Sequence, residues 1–199
     1  GIVIITANSL MNRLPPCSFI AGNTFGLELG QHVNLGELRR RLTATGYRLV
    51  SQVMEHGDFS LRGSLFDLFP PSANAPLRID LFDNEIESIR IFDPDTQRTY
   101  GKTDAIHLIP AREFPTDENA ITRFRQAWRS RFEGAPNTKP IYRDITDGLL
   151  PAGIEYYLPL FFEKTGTFFD YLPDNTIIFY WEESHQILEK YWKEFKMQI

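Results

Sequence analysis

The sequence predicts an α+β fold in which an antiparallel sheet with a packed helix is followed by a mainly helical segment. Three observations point there. Gly57–Asp93 reads as three or four antiparallel strands, from β-branched and aromatic residues, partial period-two alternation, and turn clusters at Pro70–Pro76 and Asp83–Asn84. Asn34–Thr45 reads as one amphipathic helix ahead of it. From Thr116 onward the apolar spacing changes from strand to helix period.

Ile2–Thr6 has the continuous apolar pattern of a strand buried in a parallel sheet. Asn8-Ser9 can cap a short helix over Leu10–Leu14, which Pro15-Pro16 ends. Such a strand–helix unit belongs to an α/β domain. A chain opening on Gly1-Ile-Val-Ile-Ile is therefore expected to be a piece of a larger protein. Gly22–Val33 reads as a linker and an extended segment. Its glycines lack the following Gly-Lys-Ser/Thr of a phosphate loop, so turns and bulges explain them.

Asn34 and Glu37 have capping-box spacing, and Leu35, Leu38 and Leu42 form the buried stripe of a helix that Gly46 ends. Arg39, Arg40 and Arg41 are consecutive, so they fan over a solvated arc. Tyr47–Val53 is the next strand. In Leu77–Phe82 the alternation is complete: Leu77, Ile79 and Leu81 face a core, while Arg78, Asp80 and Phe82 face water. A Phe beside an Arg on a wet face suggests a binding surface, because such anchors carry most interface energy. Arg62, on the polar side of Asp58–Leu61, reads by itself as an ordinary surface arginine. Glu85–Phe92 pairs back, and Arg98–Leu108 forms a last pair of short strands.

Ile121, Phe124, Trp128 and Phe132 recur at helical spacing after an acidic first turn at Asp117-Glu118. Lys139–Gly148 is a short helix and Pro151–Tyr157 opens another. Tyr156, Tyr157, Phe161, Phe162, Phe168 and Phe169 read as core. Thr176–Trp181 is a buried-type strand. Ser184–Met197 is an amphipathic helix with Ile187, Leu188, Tyr191, Trp192 and Phe195 on one side.

Composition narrows the function. Of 199 residues, 42 % are hydrophobic and 24 % charged, with a net charge of −5. A dedicated nucleic-acid module is usually basic, so stand-alone DNA binding is disfavoured. Cys17 is the only cysteine, which excludes an internal disulfide and fits a reducing compartment. No apolar run reaches the ~20 residues that span a bilayer, and no secretory signal pattern is present, so the expected location is cytoplasmic with no membrane partner. His32, His56, His107 and His185 show no ligand spacing, so no metal is expected. The one chemical-looking run is Trp181-Glu-Glu-Ser-His185 after an apolar strand, the setting of a Walker B box.

Several runs together carry a family resemblance. GDFSLRGSLFDLFP, LRIDLFDNEIESIRIFDPDTQR, PAGIEYY and FFDYLP resemble the nucleotide-excision-repair protein family of UvrB. GYRLVSQVMEHGDFSLRG, IHLIPAREFPTDENAI and LPAGIEYYLPLFF are more similar still to the UvrB-like N-terminal module of the bacterial transcription-repair coupling factor (Mfd) family. The resemblance covers nearly the whole chain. It implies the tail of a helicase-like domain 1a over 1–23, a UvrA-interacting domain 2 over 24–111, and a domain 1b-like helical region over 112–199 that returns to a 1a strand.

By the same resemblance Arg62, Arg78 and Phe82 match the positions with which domain 2 grips UvrA. The expected function is a non-catalytic module of a transcription-repair coupling factor. It recruits UvrA and so links stalled RNA polymerase to excision repair. RNA polymerase and DNA would be bound through other domains of the longer protein. The family's ATP-dependent DNA translocation, with its ATP and Mg²⁺, would also lie there, and no cofactor is expected here. The place of the Mg²⁺-binding Asp falls on Trp181, which fits decayed ATPase motifs. The rival reading is a piece of an active UvrB-like helicase/ATPase, with Glu182, Glu183 and His185 as motor residues.

Overall fold

The structure, a computed structural model, describes residues 1–197, without the side chains of Glu182 and of residues 194–197. In chain order its elements are α1 (Ala7–Leu10), α2 (Cys17–Asn23), β1 (Phe25–Glu28), α3 (Leu35–Ala44), β2 (Arg48–Leu49), β3 (Asp58–Arg62), β4 (Leu65–Leu68), β5 (Leu77–Phe82) and β6 (Glu85–Phe92). Then follow β7 (Thr99–Thr103), β8 (Ala105–Leu108), α4 (Glu118–Arg131), α5 (Pro140–Thr146), 3-10 turns over Ile154–Leu160 and Phe168–Tyr171, and α6 (Glu182–Met197).

Strands β2 to β7 form a six-stranded sheet in sequence order, antiparallel except for the β2–β3 pair, which is parallel. The α+β class with an antiparallel sheet and a packed helix therefore stands. The period of two sorts the sheet's residues as expected. Phe59, Phe66, Leu68, Leu77, Ile79, Leu81, Ile86 and Ile89 are all buried on one face. Helix α3 covers that face with Leu38 and Leu42, and Leu35 packs at its margin. Leu27, Ile106 and Leu108, from the two-stranded β1–β8 ribbon, complete this core.

Helix α3 forms where its caps predict. The Asn34 side chain accepts from the Glu37 backbone N–H at 3.0 Å, relieving one of the orphan donors of the first turn. At the other end Gly46 takes φ +86°, and Tyr47 N–H reaches back to Leu42 O at 3.0 Å. Tyr47 is thereby turned inward, where its hydroxyl donates to Ile109 O at 2.8 Å. Burial holds the Tyr47 phenol well above its ordinary 10.0. Above pH ~10 the unfolded chain loses this proton and the folded chain keeps it, so stability falls by up to ~1.4 kcal/mol per pH unit. Tyr47→Phe is expected to cost about 1 kcal/mol at neutral pH. Urea titrations in alkaline buffer should show that deficit closing and reversing; a constant deficit would show that the phenol ionises freely.

Pairing corrects the expectation for Arg98–Leu108. Strands β7 and β8 do not pair with each other; β7 extends the sheet beside β6, while β8 leaves it to pair with β1. The Tyr47–Val53 strand shrinks to Arg48–Leu49, because Val50 and Val53 turn to the opposite face and pack with Phe69 and Phe92.

A second apolar cluster builds the helical region. Ala120, Phe124 and Trp128 line one side of α4 and meet Tyr142 and Ile145 of α5 and Ile154, Leu160 and Phe161 beyond it. Phe124 stacks on Phe161 at 5.1 Å and Trp128 on Tyr157 at 5.2 Å. Tyr157, Phe161, Phe162 and Phe168 are buried or half-buried, whereas Tyr156 and Phe169 are exposed, contrary to expectation. Both sit in 3-10 turns, and at three residues per turn Tyr156 falls on a different face from Ile154, Tyr157 and Leu160, which turn inward. Phe132 ends α4 half exposed, its ring against Trp128.

The chain's beginning docks on residues 161–171. Leu14 pairs with Gly166, Tyr171 donates its hydroxyl to Pro15 O at 2.8 Å, and Phe19 meets Phe162 edge-on at 5.3 Å. The first helix is Ala7–Leu10, capped by Thr6, rather than Leu10–Leu14. The expected helicase-like flanking strands, Ile2–Thr6 and Thr176–Trp181, are not strands. Their apolar runs suit a strand with neighbours on both edges, and neither pairs with any described residue. Their side chains are exposed instead. No helix among the described residues is long and apolar enough to cross a membrane.

Candidate interaction surface

The polar face of the sheet is organised in rows set by strand register. One row runs Ser60, Asp67, Arg78, Arg90, Lys102; the next runs Arg62, Leu65, Asp80, Ser88; and Phe82 opposes Glu85 at the end. Paired residues share a face, so Arg62, Arg78 and Phe82 lie on one side of the sheet.

Register brings Arg62 and Arg78 together on a residue that sequence reading passed over. Asp67 is 1 % exposed. Arg78 donates to it from Nε and Nη2, each at 2.8 Å, and Arg62 donates from Nη2 at 2.6 Å. The two-pronged geometry is the strong form of a charge-assisted contact. Hydrogen bonding to Asp67 pushes Arg78 above its ordinary pKa, against the opposing effect of burial. Arg78 also reaches the backbone and side-chain oxygens of Gln97 at 3.3 Å and stacks over Phe92 at 4.7 Å.

This part of the face is roofed rather than wet. Ser60 donates to Ser51 O at 3.3 Å and Gln97 to Val53 O at 3.3 Å, so residues 51–53 and 93–97 close over Asp67. The turn at 93–97 is fixed by Asp93, which accepts from the Thr96 backbone N–H at 2.7 Å and hydroxyl at 2.8 Å. These bonds lower the Asp93 pKa, the backbone one most. Farther along, Asp80 accepts from Ser88 at 2.6 Å and pairs with Arg90.

Phe82 is different. It is 69 % exposed, at the tip of the β5–β6 hairpin. Asp83 and Asn84 take φ +48° and +67°, the two positive values of a tight two-residue turn matched to strand twist. Beside the turn lies a groove lined by His32–Gly36 and Asn84, and Val33 N–H donates to Asn84 O at 2.7 Å. The ring is thus held out on rigid backbone.

The Glu-Glu-Ser-His run opens helix α6 instead of following a strand, and Trp181 before it is exposed. The strand-end setting of a Walker B carboxylate is not formed. His185 lies 3.5 Å from Glu189 on the same helix; the side chains of Glu182 and Phe195 lie outside those described. Among the described residues, no group of three His, Cys, Asp or Glu could hold a metal ion.

Residues 25–114 match the model of the UvrB interaction domain. The chain is 48 % identical over 179 residues to the transcription-repair-coupling factor of Escherichia coli strain K12, covering 89 % of this chain and 16 % of that protein. It is 42 % identical over 199 residues to the factor of Haemophilus influenzae, covering 100 % of this chain and 17 % of that one. With the Bacillus subtilis factor identity is 29 % over 211 residues, covering 97 % and 18 %. The chain spans about a sixth of the length of these relatives. The segment 25–114, which carries the sheet, α3 and Phe82, belongs to the UvrB interaction domain family, within a chain similar along its length to part of the transcription-repair-coupling factors.

Proposed function

We propose that this chain is a non-catalytic interaction module that recruits UvrA through the polar face of its sheet. In a longer transcription-repair coupling factor it links stalled RNA polymerase to excision repair. ATP, Mg²⁺ and DNA are handled by other parts of that protein, an ATP-dependent DNA translocase. Phe82 carries this reading: a large apolar ring held in water on a rigid hairpin has no role in this chain's own core.

The charge around it supports the same reading. The paired positions of this face bear Arg62, Arg78, Arg90 and Lys102 against Asp67, Asp80 and the Glu85 that opposes Phe82, a surplus of one positive charge in a chain of net charge −5. Such a patch suits an acidic partner with an apolar pocket for the ring. Phe82→Ala is expected to weaken UvrA binding by about thirtyfold or more, roughly 2 kcal/mol, while leaving the melting temperature unchanged. Titration calorimetry of both proteins into UvrA measures this. Equal affinity for wild type and variant would sink the proposal.

A further inference from the structure

We propose that the two arginines of this face have different jobs: Arg62 is the exchangeable contact, and Asp67 with Arg78 is a fixed strut that keeps Arg62 available. The inference rests on the UvrA reading above and concerns which guanidinium meets the partner.

Burial separates the two side chains. Arg78 is 16 % exposed and Arg62 49 %. Arg78 makes four hydrogen bonds, two to Asp67 and two to Gln97, beneath which lies the Phe92 ring. Four of its five N–H donors and one of its faces are engaged, and moving it would leave a buried carboxylate held by a single nitrogen of Arg62. Arg62 holds Asp67 through one nitrogen, at Oδ2, an oxygen that Arg78 Nη2 also contacts at 2.8 Å.

One carboxylate between two guanidiniums leaves one positive charge over. Because Arg78 takes both oxygens, the surplus resides on Arg62. When Arg62 turns away, Asp67 remains neutralised by Arg78, so no buried charge is exposed without a partner. Arg62 can then offer its full fork to a carboxylate on the partner, the geometry for which a guanidinium is suited. Arg78 is a positioning residue in this scheme, and Asp67 is the part that connects it to Arg62.

The scheme predicts a specific non-additivity. Arg62→Ala should weaken UvrA binding about tenfold. Arg78→Lys keeps the charge but loses the two-pronged hold, so Asp67 captures Arg62 and binding falls by a similar factor. The double variant should bind like Arg62→Ala alone, because the second change has nothing left to act on. Losses that multiply would overturn the assignment, since Arg78 would then meet the partner itself. Amide spectra of all variants check that the sheet is intact.

A second measurement needs no partner. Nitrogen-15 relaxation of the arginine Nε groups in the free chain should find Arg78 as rigid as the backbone and Arg62 mobile. In Arg78→Lys, Arg62 should stiffen. An Arg62 as rigid as Arg78 in the wild type would overturn the inference whether or not UvrA binds. Phe82→Ala in the same titration separates the two ideas: loss of binding there with multiplying arginine losses leaves the function standing and this scheme fallen.

Discussion

Asp67→Ala is expected to destabilise the chain by about 3–5 kcal/mol, the range for breaking a buried ion pair from one side. The carboxylate is 1 % exposed and is the partner of two guanidiniums, one of them only 16 % exposed. Removing it leaves Arg78 charged under the roof of residues 51–53 and 93–97, with only the Gln97 oxygens to accept from it. Several kcal/mol is a large share of a domain's stability, so the loss is easily read in urea denaturation. The companion variant makes the cause specific. Asp67→Val combined with Arg78→Met removes both charges and leaves apolar volume against Phe92, and should recover most of the loss. A single-variant cost under about 1 kcal/mol would mean that water reaches the pair and solvates it as it does surface pairs.

Phe124→Ala is the second large effect, about 3–5 kcal/mol from deleting a fully buried ring. The ring lies 5.6 Å from Trp128, 5.9 Å from Tyr142 and 5.1 Å from Phe161, so its loss opens the centre of the helical cluster. None of these rings belongs to the sheet core, whose members all fall between Leu27 and Leu108. Hydrogen exchange should therefore show lost protection in α4 and α5 with β3–β6 still protected. Equal loss in the sheet would show that the two clusters unfold as one unit.

Much of the sheet was legible because its alternation is regular and its turn chemistry explicit. Leu77–Phe82 and Glu85–Phe92 keep their predicted bounds as β5 and β6, and Asp83-Asn84 supplies the positive backbone angles the turn demands. What local pattern could not give was pairing across distance. Nothing within Arg98–Leu108 says that its second half leaves to join Phe25–Glu28. The apolar runs at Ile2–Thr6 and Thr176–Trp181 look like strands, but a strand needs a neighbour as well as a pattern.

The surface was half legible for the same reason. Alternation marked Arg78 and Phe82 on one face, and family resemblance added Arg62. Asp67 was visible as a lone charge within Leu65-Phe-Asp-Leu68, but its importance came from register, which sets it opposite Arg78. Nor did the pattern show that Val53, Phe69 and Phe92 gather on the polar side and bury Arg78 beneath Gln97.

The tight turn at Asp83-Asn84 has a kinetic consequence. A recognition ring on a floppy loop must be ordered at the moment of contact, and that ordering slows productive encounter and subtracts from affinity. Here the backbone beneath Phe82 is clamped by strand pairing on both sides of the turn. Under the proposed function, docking of this ring needs no refolding of the turn, so its on-rate would be governed by how often the two surfaces meet in the right orientation and its lifetime by how well the ring fits the partner.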